Sequence, residues 1–149
     1  MAAPKVLLVV AHPVIAAGIE TLLKLDGEFD VKRVASLSEA ASLNAWGADV
    51  ALVDATLLRG SAEARIGVPA YVLSGSERDG RQLSRKLDDA RGWVRKDATG
   101  AELVSAIESV LRGEKQSEGG LGTLGRVTII ILSIGVLAVV AYLVWLAAY

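Results

Sequence analysis

The last 23 residues of the chain, VTIIILSIGVLAVVAYLVWLAAY from 127 to 149, carry no charged side chain. All 16 Lys and Arg residues and all 17 Asp and Glu residues lie at or before Arg126. A helix of about 20 apolar residues spans the roughly 30 Å hydrocarbon core of a bilayer. The alternative is a helix buried in a soluble core, but uncharged runs of about 18 or more residues are typical of membrane spans. The run therefore predicts a single transmembrane helix.

The flanks of this run predict its orientation. Arg126 precedes it, whereas Tyr142, Trp145 and Tyr149 cluster towards its other end, as in the aromatic belt at a membrane interface. Because every basic residue lies on the N-terminal side, the positive-inside rule predicts a single-pass protein of the inner (cytoplasmic) membrane, with its N-terminal domain in the cytoplasm and its C-terminus on the opposite side. Met1–Val10 lacks the charged-then-apolar pattern of a signal peptide.

Small residues recur at every third position within the run, at Gly135, Ala138 and Ala141. Small side chains on one face let another transmembrane helix approach closely, so this face is a candidate contact with a partner protein. Gly and Ala are also frequent in membrane spans that contact only lipid. A helix that serves only as a lipid-facing anchor is therefore the alternative.

A Gly-rich polar segment, residues 113–126, precedes the run and has the composition of a flexible linker. Within it, Gly120, Gly122 and Gly125 match the G-x-G-x-x-G pattern of dinucleotide-binding loops. That pattern must follow a strand and open a helix of a βαβ unit. Here it follows a hydrophilic linker and leads into the apolar run, so we expect no dinucleotide site.

Composition limits the chemistry of the remaining part. The chain has no Cys, which excludes disulfides and thiolate metal sites, and its one His and its lack of a G-x-S-x-G or P-loop motif argue against an enzyme. Its net charge is −1, which gives no indication of a nucleic-acid partner. We therefore expect no enzymatic activity, no cofactor, no bound metal and no nucleic acid.

Residues 1–112 alternate short apolar runs with helical patterns. Five such units in succession predict an α/β domain with a five-stranded, doubly wound parallel sheet of the flavodoxin-like type. The predicted strands are Val6–Val10, Val31–Ala35, Val50–Val53, Ala70–Leu73 and Trp93–Arg95.

Helix signals lie between the strands. The segment His12–Leu25 has apolar residues at near-helical spacing, and capping boxes at Ser36–Glu39 and Thr99–Glu102 each predict the start of a helix. The helix after Thr99 is expected to end at Gly113 and to place its apolar stripe on the core, namely Leu103, Ile107, Val110 and Leu111. Only 14 residues separate Asp54 from Pro69, so we predict one or two turns of helix within Ser61–Ile66.

Three functional groups fall at strand ends. Asp54, Ser74 and Lys96 each follow or close a predicted strand. The carboxyl ends of parallel strands meet at one edge of a sheet, where functional groups of this class of fold gather. We therefore expect a carboxylate, a hydroxyl and an ammonium group to lie together. An ion pair between Asp54 and Lys96 is the simplest expectation, and binding of a small anion is the alternative.

The segment GWVRKDATGAELVSAIESVLRGE, residues 92–114, resembles the last strand and helix of bacterial response-regulator receiver domains of the NarL/FixJ-like group. AHPVIAAGIETLL, residues 11–23, resembles the first loop and helix of that family. The resemblance covers residues 5 to about 112. It implies that Asp54 is the phospho-acceptor position, Ser74 the switch hydroxyl, Trp93 the switch aromatic and Lys96 the family lysine. Packing against the fourth helix is the alternative role for Trp93.

The resemblance also shows a departure from the family. The acidic pair that holds Mg²⁺ in receivers falls on Val10 and Ala11, which have no ligand atoms. Mg²⁺ requires six oxygen ligands, and Asp54 alone is a poor site for it. The resemblance therefore implies a degenerate pseudo-receiver that cannot perform phosphoryl transfer.

Two functions fit these features. The first is a non-catalytic, membrane-anchored interaction or structural accessory subunit of a larger bacterial membrane protein complex, such as a photosynthetic or respiratory one. Its partners are then the other subunits of the complex and the lipid bilayer. The alternative is a membrane-bound atypical response regulator that signals without Mg²⁺-dependent phosphorylation of Asp54.

Overall fold

The computed structural model describes residues 2–113 of the chain. The predicted transmembrane helix, its packing face and aromatic belt, and all of the linker after Gly113 lie outside the described residues. Within residues 2–113, no helix has the length and apolar character needed to cross a membrane.

Five strands and five helices alternate along the described part of the chain, with a short 3₁₀ turn at Asn44–Trp46. The sheet is parallel throughout, with the strand order β2-β1-β3-β4-β5. The elements are β1 (Lys5–Val9), α1 (Pro13–Asp26), β2 (Asp30–Val34), α2 (Leu37–Ser42), β3 (Val50–Asp54), α3 (Ala55–Leu58), β4 (Ala70–Ser74), α4 (Glu77–Ser84), β5 (Ala90–Arg95) and α5 (Gly100–Leu111). This confirms the predicted five-stranded parallel α/β sheet, and each predicted strand overlaps one that is observed.

The sheet is covered on both faces, as the near-continuous apolar runs of β1, β3 and β4 require. On one face, α1 and α5 enclose a core that includes Leu8, Leu52 and Ile107. On the other face, α2, α3 and α4 enclose a second core that includes Val53 and Leu58. The two edge strands are β2 and β5, and both carry arginines that discourage pairing with another strand.

The prediction for the third helix is wrong in position. The helix α3 occupies Ala55–Leu58 and follows β3 directly, whereas residues 61–66 are not helical. Long-range contacts explain the difference. Ala64 forms an isolated parallel bridge with Leu87, and the backbone N–H of Ala64 donates to the carbonyl of Lys86 at 2.8 Å. These partners lie more than 20 residues away along the chain, so a local pattern cannot reveal them.

The helix caps agree with the sequence in most details. Thr99 and Glu102 form a reciprocal capping box at the start of α5, and the left-handed Gly113 (φ 78°) follows its end. Leu103, Ile107 and Val110 are buried as predicted, but Leu111 is 42% exposed, so its predicted place on the core face is wrong. As the last residue of α5, it lies one position beyond the stripe that contacts the sheet.

At α2, the hydroxyl of Ser36 accepts the backbone N–H of Glu39 at 3.2 Å, so the predicted cap is present. In a reciprocal capping box the carboxylate of Glu39 would accept the backbone N–H of Ser36. It accepts the N–H of the preceding residue, Ala35, at 3.1 Å instead. The helix ends at Ser42 and a 3₁₀ turn continues to Trp46.

Candidate functional site

The carboxyl ends of β3, β4 and β5 bring two of the predicted groups into contact. Asp54 closes β3, Ser74 closes β4, and Lys96 directly follows β5. The Lys96 ammonium lies 2.6 Å from Oδ1 of Asp54, which is the ion pair expected from the sequence. The Asp54 side chain is 5% exposed and that of Lys96 is 28% exposed, so water reaches the pair only from the lysine side.

Asp54 also caps α3. Its Oδ1 accepts the backbone N–H of Thr56 at 3.0 Å, which satisfies one of the unpaired donors of the first helical turn. A carboxylate at this position is favourable for the helix dipole as well.

Burial is the largest influence on the ionisation of Asp54, and by itself it raises the pKa. The hydrogen bond from Lys96, the hydrogen bonds from Thr56 and the charge of Lys96 together outweigh burial, so the pKa of Asp54 lies below its ordinary value. Asp54 is therefore an anion at neutral pH, and its charge is matched inside the protein.

Ser74 lies at the end of the neighbouring strand, but its hydroxyl is used locally. Its Oγ donates to the carbonyl of Ser76 at 2.9 Å and accepts the N–H of Ser76 at 3.2 Å. These two bonds shape the turn that leads into α4, where Ser76 is the N-cap. The structure thus places Ser74 beside the ion pair without a hydrogen bond to either of its members.

Trp93 packs against α4. The indole ring lies directly over Gly80, where an added Cβ would come within 2.7 Å of ring atoms Cγ and Cδ2. Trp93 also borders the core cluster that contains Leu83 and Leu87. The indole is thus partly buried between α4 and the edge strand β5.

Val10 and Ala11 follow β1 at the same edge of the sheet. Val10 is 3% exposed and belongs to the apolar core beneath α1, and its N–H donates to the carbonyl of Val34 at 3.0 Å. Ala11 is exposed and has no ligand atom. The resemblance to receivers implies that a Mg²⁺ ion would need carboxylates at these two positions. The residues present do not fit the ion, because a buried valine and an alanine replace its ligands and Oδ1 of Asp54 already accepts two hydrogen bonds.

Within residues 2–113, no group of three or more His, Cys, Asp and Glu side chains is placed to hold a metal ion. The expectation that the chain binds neither metal nor cofactor remains a prediction.

Sequence reasoning did not identify Thr56, Gly80 or Lys86. The ammonium of Lys86 donates to three carbonyls at and after the end of α3, those of Leu58, Arg59 and Ser61, at 3.0, 3.3 and 2.7 Å. The capping signal is Asp54 itself, an Asp between a strand and a helix, which could have been read from the sequence, whereas the backbone N–H of Thr56 that it accepts carries no signal of its own. The roles of Gly80 and Lys86 depend on contacts between distant segments, which carry no local signal.

Comparison with solved structures places this architecture among response-regulator receivers. The receiver domain of the response regulator NarL from Mycobacterium tuberculosis is 20% identical, with a TM-score of 0.62, and the match covers 76% of this chain and 100% of that one. The response regulator ChrA of a heme-sensing two-component system is 23% identical, with a TM-score of 0.58, over 86% of this chain and 67% of that one. A CheY-like receiver domain from Methylobacillus flagellatus is 19% identical, with a TM-score of 0.55, over 73% of this chain and 99% of that one.

The chain therefore has the receiver fold. No family model matches the sequence, and no curated protein matches it.

Proposed function

We propose that the chain is a pseudo-receiver that performs no catalysis and serves as a membrane-anchored accessory subunit of a larger membrane protein complex. The observation that carries this proposal is the replacement of the family's acidic pair by Val10, buried in the core, and Ala11. Phosphoryl transfer to a carboxylate depends on cations that neutralise the transferred group. Without ligands for such a cation, the domain keeps the fold and loses the chemistry.

The surroundings of Asp54 support the same reading. The carboxylate is held by Lys96 at 2.6 Å and by the N–H of Thr56 at 3.0 Å, and its side chain is 5% exposed. Both contacts serve folding, since one neutralises a buried charge and the other caps α3. A domain with this arrangement contributes a rigid surface to an assembly.

Attachment to a membrane is supported by the sequence of residues 127–149, which is uncharged throughout. We propose that this run crosses the bilayer once, with the receiver-like domain in the cytoplasm. The small residues Gly135, Ala138 and Ala141 would then face a helix of a partner subunit.

The loss of phosphoryl chemistry can be tested on a fragment of residues 1–113, which contains the whole sheet and both core clusters. We expect incubation with acetyl phosphate and Mg²⁺ to give no adduct on Asp54. Asp54→Asn is the matched negative control. A Mg²⁺-dependent adduct that maps to Asp54 in the unaltered fragment would overturn the pseudo-receiver proposal.

The role in a complex can be tested by purifying the tagged full-length chain from its native membranes in mild detergent. A stoichiometric complex supports the proposal, whereas a transient kinase partner favours the atypical response regulator. A triple variant, Gly135→Leu, Ala138→Leu and Ala141→Leu, keeps the run apolar but blocks close helix packing, and we expect it to lose partners.

The matched control places three leucines on the opposite face of the same helix, as Val136→Leu, Val140→Leu and Ala147→Leu, and should retain the partners. If the first triple variant still purifies with the same partners, the helix acts only as an anchor, and docking comes from the receiver-like domain.

A further inference from the structure

Three backbone carbonyls at and after the end of α3 converge on one point. The carbonyl oxygens of Leu58, Arg59 and Ser61 lie 3.0, 3.3 and 2.7 Å from a single atom, the Nζ of Lys86. Carbonyls at the end of a helix lack partners within the helix and carry partial negative charge. We call these three groups the carbonyl cage. They form an oxygen-lined position for a cation, and the chain fills it with its own ammonium group.

The ammonium group of Lys86 matches the carbonyl cage in number. A lysine ammonium has three N–H donors and no acceptor, and here it has three carbonyl partners. No carboxylate of residues 2–113 lies within ion-pair distance of Lys86. The charge is therefore stabilised by neutral dipoles, unlike that of Lys96, which faces the carboxylate of Asp54.

Bonds that do not involve the Lys86 ammonium hold the carbonyl cage in place. The Leu58 side chain is buried, and the carbonyl of Leu58 also accepts the N–H of Ser61 at 3.2 Å. Further along, the N–H of Ala64 donates to the backbone carbonyl of Lys86 at 2.8 Å, and the N–H of Asp88 donates to the carbonyl of Ala64 at 3.2 Å. The cage is thus fixed on both sides, so we expect it to persist when the side chain of Lys86 is shortened.

The oxygen atoms of the carbonyl cage indicate which cations fit. Ca²⁺ and Mg²⁺ take carboxylate and water oxygens at about 2.0–2.6 Å, closer than the 2.7–3.3 Å found here. Neutral carbonyls instead suit large monovalent cations, as in channel filters where they replace the water around K⁺. A primary ammonium fits best, because it adds three directed hydrogen bonds to the charge.

We propose that the carbonyl cage is a binding site for a primary ammonium ion, which the native chain occupies with a covalently attached ligand, the side chain of Lys86. This site is independent of the proposed function. Lys86→Ala removes Cγ, Cδ, Cε and Nζ, which together have the composition of a propylammonium ion. The variant therefore opens a site that free propylammonium enters, and the order of residues 59–67 then depends on that ion.

Water offers a different outcome for the same variant. Water molecules also donate hydrogen bonds to carbonyls, and buried waters commonly satisfy polar groups that lack a protein partner. If water alone fills the carbonyl cage, the variant is indifferent to the cation in solution. The two possibilities thus differ in one measurable property, the dependence of the variant on the identity of the cation.

Amide hydrogen exchange of the full-length chain in mild detergent, read by mass spectrometry in residues 59–67, tests the proposal. We expect Lys86→Ala to speed this exchange by roughly tenfold, because three carbonyls lose their donor. Propylammonium chloride should bring it back to within about twofold of the unaltered chain. Tetramethylammonium chloride at the same concentration should not, because that ion has no N–H group. Equal ionic strength removes general effects of salt.

Three controls separate the site from other effects of amines. The unaltered chain should not respond to propylammonium, because its site is filled. Lys86→Met removes the charge but leaves a side chain of similar length in the path, so propylammonium should not restore it. Lys24→Ala removes a lysine that pairs with Glu20 at 2.6 Å outside any carbonyl cage, and exchange in residues 59–67 should remain unchanged with or without the amine.

Restoration of Lys86→Ala by tetramethylammonium as well as by propylammonium would overturn the proposal, and so would equal restoration of Lys86→Met. Exchange in Lys86→Ala that responds to neither salt would show that water suffices, which also overturns it. If Lys86→Ala does not fold, circular dichroism provides the measurement. Recovery of the folded signal in propylammonium but not in tetramethylammonium supports the site, and no difference between the two salts refutes it. The proposed function is tested separately, by purification from membranes.

Discussion

Replacement of Lys96 by methionine should destabilise the domain because it leaves the buried carboxylate of Asp54 without its cation. A hydrogen bond to a charged group contributes about 1.5–3 kcal/mol, and breaking a fully buried ion pair costs about 3–5 kcal/mol. The Asp54 side chain is 5% exposed, but that of Lys96 is 28% exposed, so water partly replaces the lost partner. We therefore expect the free energy of unfolding to fall by about 2 kcal/mol.

The converse variant, Asp54→Asn, should cost less. The amide oxygen still accepts the N–H of Thr56 at the N-cap of α3, since Asn is a good N-cap residue. Lys96 can turn towards water. We expect the free energy of unfolding to fall by about 1 kcal/mol in Asp54→Asn and by about 1.5 kcal/mol in the double variant. Because the two single losses together are larger than the loss in the double variant, the coupling free energy between the two side chains is about 1.5 kcal/mol.

Urea unfolding of the fragment of residues 1–113 and its three variants measures this cycle. Because the pKa of folded Asp54 is lowered, its ion pair stabilises the domain above the unfolded pKa, and this stabilisation is lost as the pH falls through the folded pKa. The difference between the unaltered fragment and Lys96→Met should therefore shrink when the pH is lowered from 7 towards 3. Effects that add to within about 0.5 kcal/mol would refute an energetic contact between the two side chains.

Three further changes test other contacts in the same fragment by urea unfolding. Gly80→Ala adds a Cβ within 2.7 Å of the Trp93 ring, so it should lower the free energy of unfolding by about 1–3 kcal/mol despite the better helix propensity of alanine. Combining it with Trp93→Leu should recover part of that loss. A Gly80→Ala variant more stable than the unaltered fragment would contradict the packing of Trp93 on Gly80. Lys86→Met removes the donor to three carbonyls at and after the end of α3, so it should lower the free energy of unfolding by about 1–2 kcal/mol and speed amide hydrogen exchange in residues 59–67. Unchanged exchange in residues 59–67 would show that the Lys86 contacts do not hold this segment. Thr99→Ala removes one half of the capping box of α5 and should lower the free energy of unfolding by about 1 kcal/mol. Thr99→Ser keeps the hydroxyl and should be close to neutral. Equal losses of stability in the two variants would exclude a capping role for Thr99.

The sequence predicts those parts of the fold that depend on local pattern. The strand β3 is an uninterrupted apolar run closed by Asp54, and its burial on both faces of a parallel sheet is expected from that pattern. The capping box at Thr99 likewise identifies the start of α5 from two residues. The pairing of Asp54 with Lys96 is expected from topology, because the carboxyl ends of parallel strands lie along one edge of the sheet, and the long lysine side chain reaches Asp54 past the end of the intervening strand β4.

What the sequence does not reveal depends on contacts between distant segments. The position of α3 follows from the anchoring of residues 59–67, where Asp88 accepts the N–H groups of Ile66 and Gly67 at 3.2 and 3.3 Å. The packing of Trp93 on Gly80 requires α4 to lie against β5 at a distance that no propensity encodes. Both features belong to the tertiary structure.

The double role of Asp54 affects how related sequences should be interpreted. A helix of four residues is too short to form unaided, and α3 is held at its start by the carboxylate of Asp54 and at its end by the ammonium of Lys86. Loss of the aspartate would therefore impair folding even in a domain that never receives a phosphoryl group. An aspartate at this position is consequently no sign of signalling competence. The residues that correspond to Val10 and Ala11 show in addition whether further carboxylates lie at the same edge of the sheet.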